Sequence, residues 1–339
     1  MQNKLYHYTS LDTLFAILHW GILNKTSHSI QLKASCIYGM NDPKEMYAGY
    51  NLVKKILPQY EEYNKVPKSL RLSEVYGSKD AEEKCKKKYI LNNCWIDNYT
   101  DVPYVICFSK KKDYLPMWSL YGKEGKGACL IFDTSKMLDY LICKNIRGRF
   151  GDVIYNLKPN KNFIEILDYW YKDYMIDNGK STSVNIDEKI KNLSDICEFL
   201  SPYVKYRDYS YESETRIIYA LRDGRDSFDV SEEQISETLN VFSQMKHIEQ
   251  NDSVRQEMDK MRYLIYKREQ IKPLRQYVFR QMGIECLSGI MLGPCVDFDV
   301  MQPIIDSKLK ELGIKIKIRK SKIPYRNTPI FENIDDSVL

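Results

Sequence analysis

The chain has 339 residues, of which 43% are hydrophobic and 29% are charged, and its formal net charge is +5. That length suits one large domain or two ordinary ones, and the small positive charge permits an anionic partner without demanding one. No apolar run approaches the roughly 20 residues of a membrane span, and the N-terminal residues show no signal-peptide pattern. The odd number of nine cysteines, without a secretion signal, predicts a cytoplasmic protein with reduced thiols and no membrane association. The absence of a Cys-x-x-Cys pair, together with only four histidines, predicts no zinc site.

The first 100 residues predict two strands and three helices. The stretch LYHYTS (5–10) reads as a strand that runs into an amphipathic helix over 11–23, with Ser10 as the N-cap. A short strand over 30–34 follows, and then a helix from Lys44 to Leu57. The polar stretch 58–100 predicts a basic helix at about 80–96, whose KCKKK run we interpret as a solvated face.

The rest of the chain mixes strands and helices without strict alternation. Apolar runs predict strands at 104–109, 127–133, 151–156 and in the second half of 211–221. Helical patterns cover 161–178, 186–200 and the charged stretch 231–270. The C-terminal part predicts a β-α-β order in SGIMLGP, VMQPIIDSKLKEL and IKIKIRKSK. The mixed order favours an α+β fold.

Four clusters carry the side chains that could do chemistry. They are His7-Tyr8-Thr9, Asn41-Asp42-Pro43 with Glu45, Cys107-Phe108-Ser109 with MWSLYG (117–122), and YESETR (211–216). If 212–216 is a strand, Glu212, Glu214 and Arg216 share one face. They then form either a surface salt-bridge ladder of little energetic value or a carboxylate site that Arg216 orients towards a substrate.

The MWSLYG stretch offers two large aromatic side chains. Trp118 and Tyr121 are neighbours if this stretch is helical. They then either pack a helix onto the sheet or form a stacking wall for a flat ring such as a nucleobase or nicotinamide.

Six motifs in one order resemble an uncharacterised bacterial family, the domain of unknown function "twenty-nine seventy-one". The motifs are LYHYTS, NDPKE, CFSKKKDYLPMWSLYG, KYRDYSYESETRI, LGP and SKIPYR, and they extend over nearly the whole chain. Each motif alone is weak, so the order of all six carries the resemblance. The family name implies no activity.

A more distant resemblance does imply a mechanism. A strand that ends in His-x-Thr and leads into a helix is similar to the start of ADP-ribosyltransferase-fold enzymes, which present a His early, a Tyr in the middle and a Glu late in the chain. The resemblance implies a mixed central sheet of the ADP-ribosyltransferase type in a single domain over 1–339, with helical insertions at 58–100 and 231–270. It also implies NAD as the co-substrate and no metal.

Carried over residue by residue, the resemblance implies Glu214 as the catalytic carboxylate, with Glu212 beside it and Tyr121 as the central tyrosine. Cleavage of the nicotinamide–ribose bond passes through an oxocarbenium-like state, which a carboxylate stabilises. The other residues of the clusters are expected to bind the cofactor, and they are His7, Tyr8, Thr9, Asn41, Asp42, Ser109, Trp118 and Arg216.

The leading hypothesis is an NAD-dependent ADP-ribosyltransferase with a protein or nucleic-acid acceptor, or an NAD glycohydrolase. The resemblance implies the setting of a bacterial toxin or anti-phage effector, with an antitoxin or inhibitor protein as a partner. Two alternatives stay open. One is a non-catalytic module of the same fold that binds a nucleotide or a partner, and the other is a nuclease that uses His7, Asp42 and the glutamate pair. The acceptor, the choice between transfer and hydrolysis, and the oligomeric state stay open as well.

Overall fold

Strands and helices alternate irregularly in the computed structural model, which describes residues 3–40, 42, 44–86, 101–144, 148–155, 157–178, 183–222 and 277–324. The strands in these ranges are β1 (Lys4–Thr9), β2 (Ser29–Cys36), β3 (Asp101–Ser109), β4 (Ala128–Asp133), β5 (Gly148–Asp152), β6 (Glu214–Arg222), β7 (Tyr277–Gly283), β8 (Leu287–Leu292) and β9 (Lys317–Lys320). The helices there are α1 (Leu11–Leu23), α2 (Glu45–Tyr63), α3 (Lys79–Lys86), α4 (Leu115–Leu120), α5 (Thr134–Cys143), α6 (Lys161–Asn178), α7 (Ile186–Leu200) and α8 (Phe298–Glu311).

All the described strands join one mixed sheet. Its main order is β5-β6-β3-β1-β4-β8-β9, and β2 pairs with both β3 and β7. The pairings are antiparallel except for β8 with β9, which are parallel. Parallel neighbours need a crossover, and α8 supplies it. The chain is therefore α+β, as the mixed order of elements predicts.

The sheet forks along β3. One side of β3 pairs with β6 over the full strand. On its other side, the end of β3 pairs with β1 at Tyr6 and Ser109, whereas its first half pairs with β2 through Ser35–Val105 and the adjacent pair. The strands β1 and β2 therefore diverge from each other beside residues 106–108 of β3.

The two faces of the sheet are buried by different helices. One face packs against α1, α5 and α8 through side chains such as Leu18, Met137 and Ile305. The other face packs against α2, α6 and α7 over β3 and β6, and against the α4 segment over β1 and β4. Because side chains alternate along a strand, Tyr6 and Tyr8 lie on this second face while Leu5 lies on the first.

Many of the predicted elements are confirmed. The predicted helices over 11–23, 161–178 and 186–200 match α1, α6 and α7, and the C-terminal β-α-β order matches β8, α8 and β9. None of the helices in the described ranges combines the length and apolar character that crossing a bilayer requires. The predicted helical stretch 231–270 and residues 87–100 lie outside the described residues.

Three predictions of local structure are wrong in their bounds or incomplete. Helix α2 continues through Pro58 to Tyr63, because buried Leu57 and Glu61 anchor its last turns. The strand predicted at 151–156 is instead Gly148–Asp152, since pairing with β6 ends at Asp152. The sequence reading also missed β7, a strand that pairs with β2 along its whole length.

Candidate functional site

The fork of the sheet opens into a cavity of about 250 Å³. On the second face of the sheet, Met117 of α4 and Tyr121 just after it form one side of the cavity. Six residues singled out from the sequence line it, namely His7, Tyr8, Ser109, Tyr121, Glu212 and Glu214. The strands β2 and β3 add Lys33, Ser35 and Cys107, and Lys205 contributes from the approach to β6. The structure therefore brings residues from four distant parts of the sequence to one cavity.

His7 bridges the gap where β1 and β3 part. Its Nδ1–H donates a hydrogen bond to the Cys107 carbonyl oxygen at 2.9 Å. A carbonyl only accepts, so Nδ1 carries a proton, and in the neutral ring Nε2 is then the unprotonated nitrogen. Burial lowers the pKa of His7, which favours the same neutral state. This geometry answers why a histidine occurs within the first strand, because its ring satisfies a backbone group that has lost its strand partner.

A tight turn sets the two glutamates side by side. Glu212 ends a 3-10 turn, Ser213 adopts a left-handed conformation at φ +47°, and Glu214 begins β6. The assumption that 212–216 forms one continuous strand is therefore wrong at Glu212. The Ser213 carbonyl accepts a hydrogen bond from Lys110 N–H at 2.8 Å, and this bond holds the turn against the end of β3.

Both glutamates belong to a buried ionic cluster. Lys205 Nζ lies 2.7 Å from Glu212 Oε2 and 2.9 Å from Glu214 Oε2. Arg216 donates hydrogen bonds to both carboxylate oxygens of Glu214, from Nε at 2.7 Å and from Nη2 at 3.0 Å. Arg216 also pairs with Glu45 from the start of α2. These side chains are at most 4% exposed, so the surface salt-bridge ladder considered from the sequence is wrong.

The cluster holds its charges in a defined pattern. Burial alone would raise the pKa of Glu214, but Arg216 and Lys205 lower it to about 2. Burial disfavours the charged form of Lys205, yet the surrounding carboxylates raise its pKa above the usual value. Burial raises the pKa of Glu45 despite the two cations, and its Oε2 has no hydrogen-bond partner. Glu214 is thus a fixed anion of the cluster, and Glu45 is more easily protonated than Glu214.

Two neutral donors fix Glu212 from the other side of the cavity. Tyr121 Oη donates a hydrogen bond to Glu212 Oε1 at 2.6 Å. Burial and this bond raise the pKa of Tyr121, so the phenol stays protonated and continues to donate. Ser109 Oγ donates to the Glu212 carbonyl oxygen at 2.6 Å and accepts from Lys111 N–H at 3.0 Å. Ser109 therefore positions the Glu212 backbone.

Trp118 is not the stacking wall suggested by the sequence. Its side chain is fully buried, its Nε1–H donates to Asp113 Oδ1 at 2.8 Å, and its ring packs edge-on against Tyr8. A ring without an exposed face cannot stack on a ligand, so Trp118 belongs to the core. Tyr8 lines the cavity, and its hydroxyl is used by the Lys111 carbonyl and by Tyr114 N–H.

Four other residues predicted to bind the cofactor have different surroundings. Thr9 and Arg216 are buried and do not line the cavity. The prediction that they bind the cofactor directly is therefore replaced by a structural role for both. Asp42 is also buried away from the cavity lining, and its Oδ1 accepts a hydrogen bond from Lys44 N–H at 2.8 Å. Asn41 lies outside the described residues.

No role was predicted for Lys205, and Glu45 was named only as a member of the cluster around Asp42. Lys205 stood inside a quoted motif, KYRDYSYESETRI, but it lies seven residues before Glu212. Residues seven apart lie two turns, about 10 Å, apart in a helix and on opposite faces of a strand, so neither element would bring the two side chains into contact. Glu45 stood in the NDPKE motif, 171 residues before Arg216. Neither ion pair, Lys205 with Glu212 or Glu45 with Arg216, follows from a local sequence pattern. The only indication of a role was that both residues occur in short motifs that already contained candidate residues.

Comparison with known proteins gives one match. No curated protein and no solved structure matches the chain. A family model described as "Protein of unknown function (DUF2971)" matches residues 117–217. That segment contains Tyr121, Lys205, Glu212, Glu214 and Arg216, whereas His7 and Glu45 lie before it. The match supports the predicted resemblance to this family over residues 117–217, which make up less than a third of the chain.

Proposed function

We propose that the chain is an NAD-consuming enzyme, either an ADP-ribosyltransferase or an NAD glycohydrolase, on an ADP-ribosyltransferase-like fold. The observation that carries the proposal is the cavity at the fork, which is lined by His7, Tyr121, Glu212 and Glu214. These are the residue types that the resemblance implies, and they converge although more than 200 residues separate His7 from the glutamates.

The chemistry needs a preorganised negative charge more than it needs a strong base. The bond between the nicotinamide nitrogen and the ribose carbon breaks, and its electron pair leaves with neutral nicotinamide. The ribose becomes oxocarbenium-like until water or an acceptor adds to it and gives up a proton. A carboxylate held in a water-poor cavity stabilises that cation without reorganising. Glu214, with its pKa lowered to about 2, stays ionised at any physiological pH.

The two carboxylates differ in the acceptor capacity that they have left. A carboxylate offers about four lone-pair sites. Glu212 receives one bond on each oxygen, from Tyr121 and from Lys205. Glu214 receives two bonds from Arg216 and a third from Lys205. Glu212 therefore makes the direct contact with the ribose hydroxyls, and Glu214 supplies the adjacent fixed charge.

The size of the cavity fits one half of a dinucleotide. Pockets that enclose drug-sized ligands measure roughly 300–1,000 Å³. The cavity of about 250 Å³ accommodates the nicotinamide ribose, and the remainder of NAD then extends along the open part of the fork. His7, at the parting of β1 and β3, binds a ribose hydroxyl through Nε2.

A second candidate is a non-catalytic module that binds a nucleotide in the same cavity. The observation in its favour is the pairing of both carboxylates with Lys205, which compensates their charge. The setting of a toxin or anti-phage effector with a controlling inhibitor rests on the resemblance alone, and it applies to either candidate.

Nicotinamide release from NAD by the purified full chain tests the proposal. We expect Glu212→Gln and Glu214→Gln each to lower release by about 100-fold, the scale of losing one preorganised electrostatic contact. Glu165→Gln is the matched control, because Glu165 is exposed on α6 and pairs with Lys161 alone among the described ion pairs. Full turnover by both cavity variants would reject the catalytic assignment. NAD binding without any release by the wild type would favour the binding module.

A further inference from the structure

Two large aromatic side chains are exposed on the ribbon formed by β2 and β7. Tyr277 is 42% exposed and Phe279 is 50% exposed, although both lie in a strand. Their rings contact each other edge-on with centroids 5.4 Å apart. Lys33 Nζ, from the paired strand, lies 4.2 Å from the centre of the Tyr277 ring. We call Tyr277, Phe279 and Lys33 the aromatic platform.

The aromatic platform is continuous with the cavity. Lys33 pairs with Phe279 and Ser35 pairs with Tyr277 in the antiparallel register, so these four side chains share one face. Lys33 and Ser35 also line the cavity. The alternate residues of β2, such as Leu32 and Ala34, are buried on the opposite face. A ligand that lies on the aromatic platform therefore reaches the cavity along the same side of the sheet.

The same face carries positive charge beyond the cavity. In β9, Lys317 and Arg319 pair with Gly289 and Met291, and Met291 packs in the cluster that contains Tyr6. Burial raises the pKa of the Tyr6 phenol, and the Arg319 guanidinium opposes that rise, so the cation acts on a residue that lines the cavity. The strands β2, β7 and β9 contain no aspartate or glutamate.

We propose that this face is the acceptor surface of the enzyme and that the aromatic platform binds unpaired bases of a single-stranded nucleic acid. The inference rests on the proposed function, because it names the class of acceptor for the same cavity. Exposed aromatic rings stack on bases of any sequence, and nearby lysine and arginine side chains attract the phosphates. A strand that stacks on Tyr277 and Phe279 reaches the cavity past Lys33 and Ser35, and Lys317 and Arg319 add positive charge on the same side of the sheet.

The combination of exposed rings and cations favours a nucleic-acid acceptor over a protein acceptor. An acidic peptide would use the cations but would leave the two exposed rings without a flat partner. A single-stranded nucleic acid uses both, because each nucleotide offers a π-face and an anionic group. A duplex keeps its bases stacked internally, so it engages the cations alone.

Binding of fluorescein-labelled 12-nucleotide single-stranded RNA and DNA, followed by anisotropy, tests the inference in the full chain. We expect the Tyr277→Ala/Phe279→Ala double variant to bind at least about 10-fold more weakly, since stacking contributes roughly 5- to 150-fold per base. Tyr169→Ala is the matched control, because Tyr169 is 69% exposed on α6, far along the chain from the ribbon. We expect Tyr169→Ala to bind the oligonucleotides with wild-type affinity. We expect the double variant to release nicotinamide at the wild-type rate when no oligonucleotide is added.

Photocrosslinking of 4-thiouridine RNA to the wild-type chain gives a second measurement that needs no variant. Crosslinks at Tyr277 or Phe279 support the inference. Wild-type affinity in the double variant, or duplex binding as tight as single-strand binding, overturns it, and so does the absence of any oligonucleotide binding. Binding that depends on the aromatic platform without any nicotinamide release would leave this inference standing and would reject the proposed function alone.

Discussion

Lys205 and Glu212 form an ion pair of 2.7 Å between side chains that are each only 4% exposed. The same ammonium group lies 2.9 Å from the Glu214 carboxylate. One cation therefore compensates two neighbouring carboxylates that would otherwise repel each other. Removing one member of a buried ionic group is costly because the remaining charges lose their compensation.

The first prediction concerns this lysine. We expect Lys205→Met to lower the free energy of unfolding by about 3–5 kcal/mol, measured by urea denaturation. Lys84→Met is the control, because Lys84 pairs with Asp80 at the surface, where solvent screening leaves such pairs little effect on stability. Equal stability of the two variants would show that Lys205 does not compensate the glutamates.

The second prediction tests whether the hydrogen bond from Tyr121 to Glu212 matters for activity as well as for stability. Tyr121→Phe removes the donor to Glu212 Oε1, and we expect about 1 kcal/mol of lost stability with a roughly 10- to 100-fold loss of nicotinamide release. Tyr60→Phe removes an equivalent phenol–carboxylate bond to Asp168 outside the cavity lining. Its stability loss should be similar and its turnover normal. Equal turnover in both variants would contradict a role for Tyr121 in orienting Glu212.

The third prediction follows from the burial of Trp118. Replacing it by Phe removes the bond to Asp113 and leaves space in the core, so we expect a loss of about 1–3 kcal/mol in the free energy of unfolding. Because the ring does not line the cavity, the KM for NAD should stay within about twofold of the wild-type value. A large rise in KM with unchanged stability would restore the stacking role.

The fourth prediction concerns the pH dependence of stability through Glu45. Its pKa is raised above the usual 4.5 in the folded chain, so the folded state binds more protons than the unfolded state between these two values. Stability contributed by the protonated carboxyl is therefore present below pH 4.5 and is lost as the pH rises through the folded pKa. We expect the stability of Glu45→Gln relative to the wild type to increase as the pH rises above 4.5, as measured by urea denaturation. A difference that does not change with pH would contradict the raised pKa.

The sequence allowed the elements with a strong local period to be predicted, but not the pairing that joins them. Helices α6 and α7 were predicted at their observed bounds because each carries a sustained helical pattern. Strand β7 was missed because its sequence, YVFRQMG, mixes exposed aromatic and buried residues. An aromatic side chain on the solvent side of a strand reverses the alternation that identifies a half-buried strand.

The same contrast holds for the candidate site. His7, Tyr121, Glu212 and Glu214 were singled out from motifs, and the structure brings them to one cavity. The roles of Lys205 and Glu45 could not be predicted, because their partners become neighbours through the contact of α2 with the residues before β6. The Ser213 turn was missed for a related reason, since serine is not a residue that favours the left-handed region.

The fork along β3 also has a mechanical consequence. The strand β3 is tied to β1 by one residue pair and to β2 by two, whereas its pairing with β6 runs over nine residues. Bending stress applied to the sheet therefore concentrates at this seam, where few backbone bonds resist it and the His7 imidazole is the main tie across the gap. A hinge-like change in the angle between β1 and β2 disturbs fewer paired residues than bending between β3 and β6 does. That motion widens or narrows the mouth of the cavity while the hydrophobic layers on both sides stay packed.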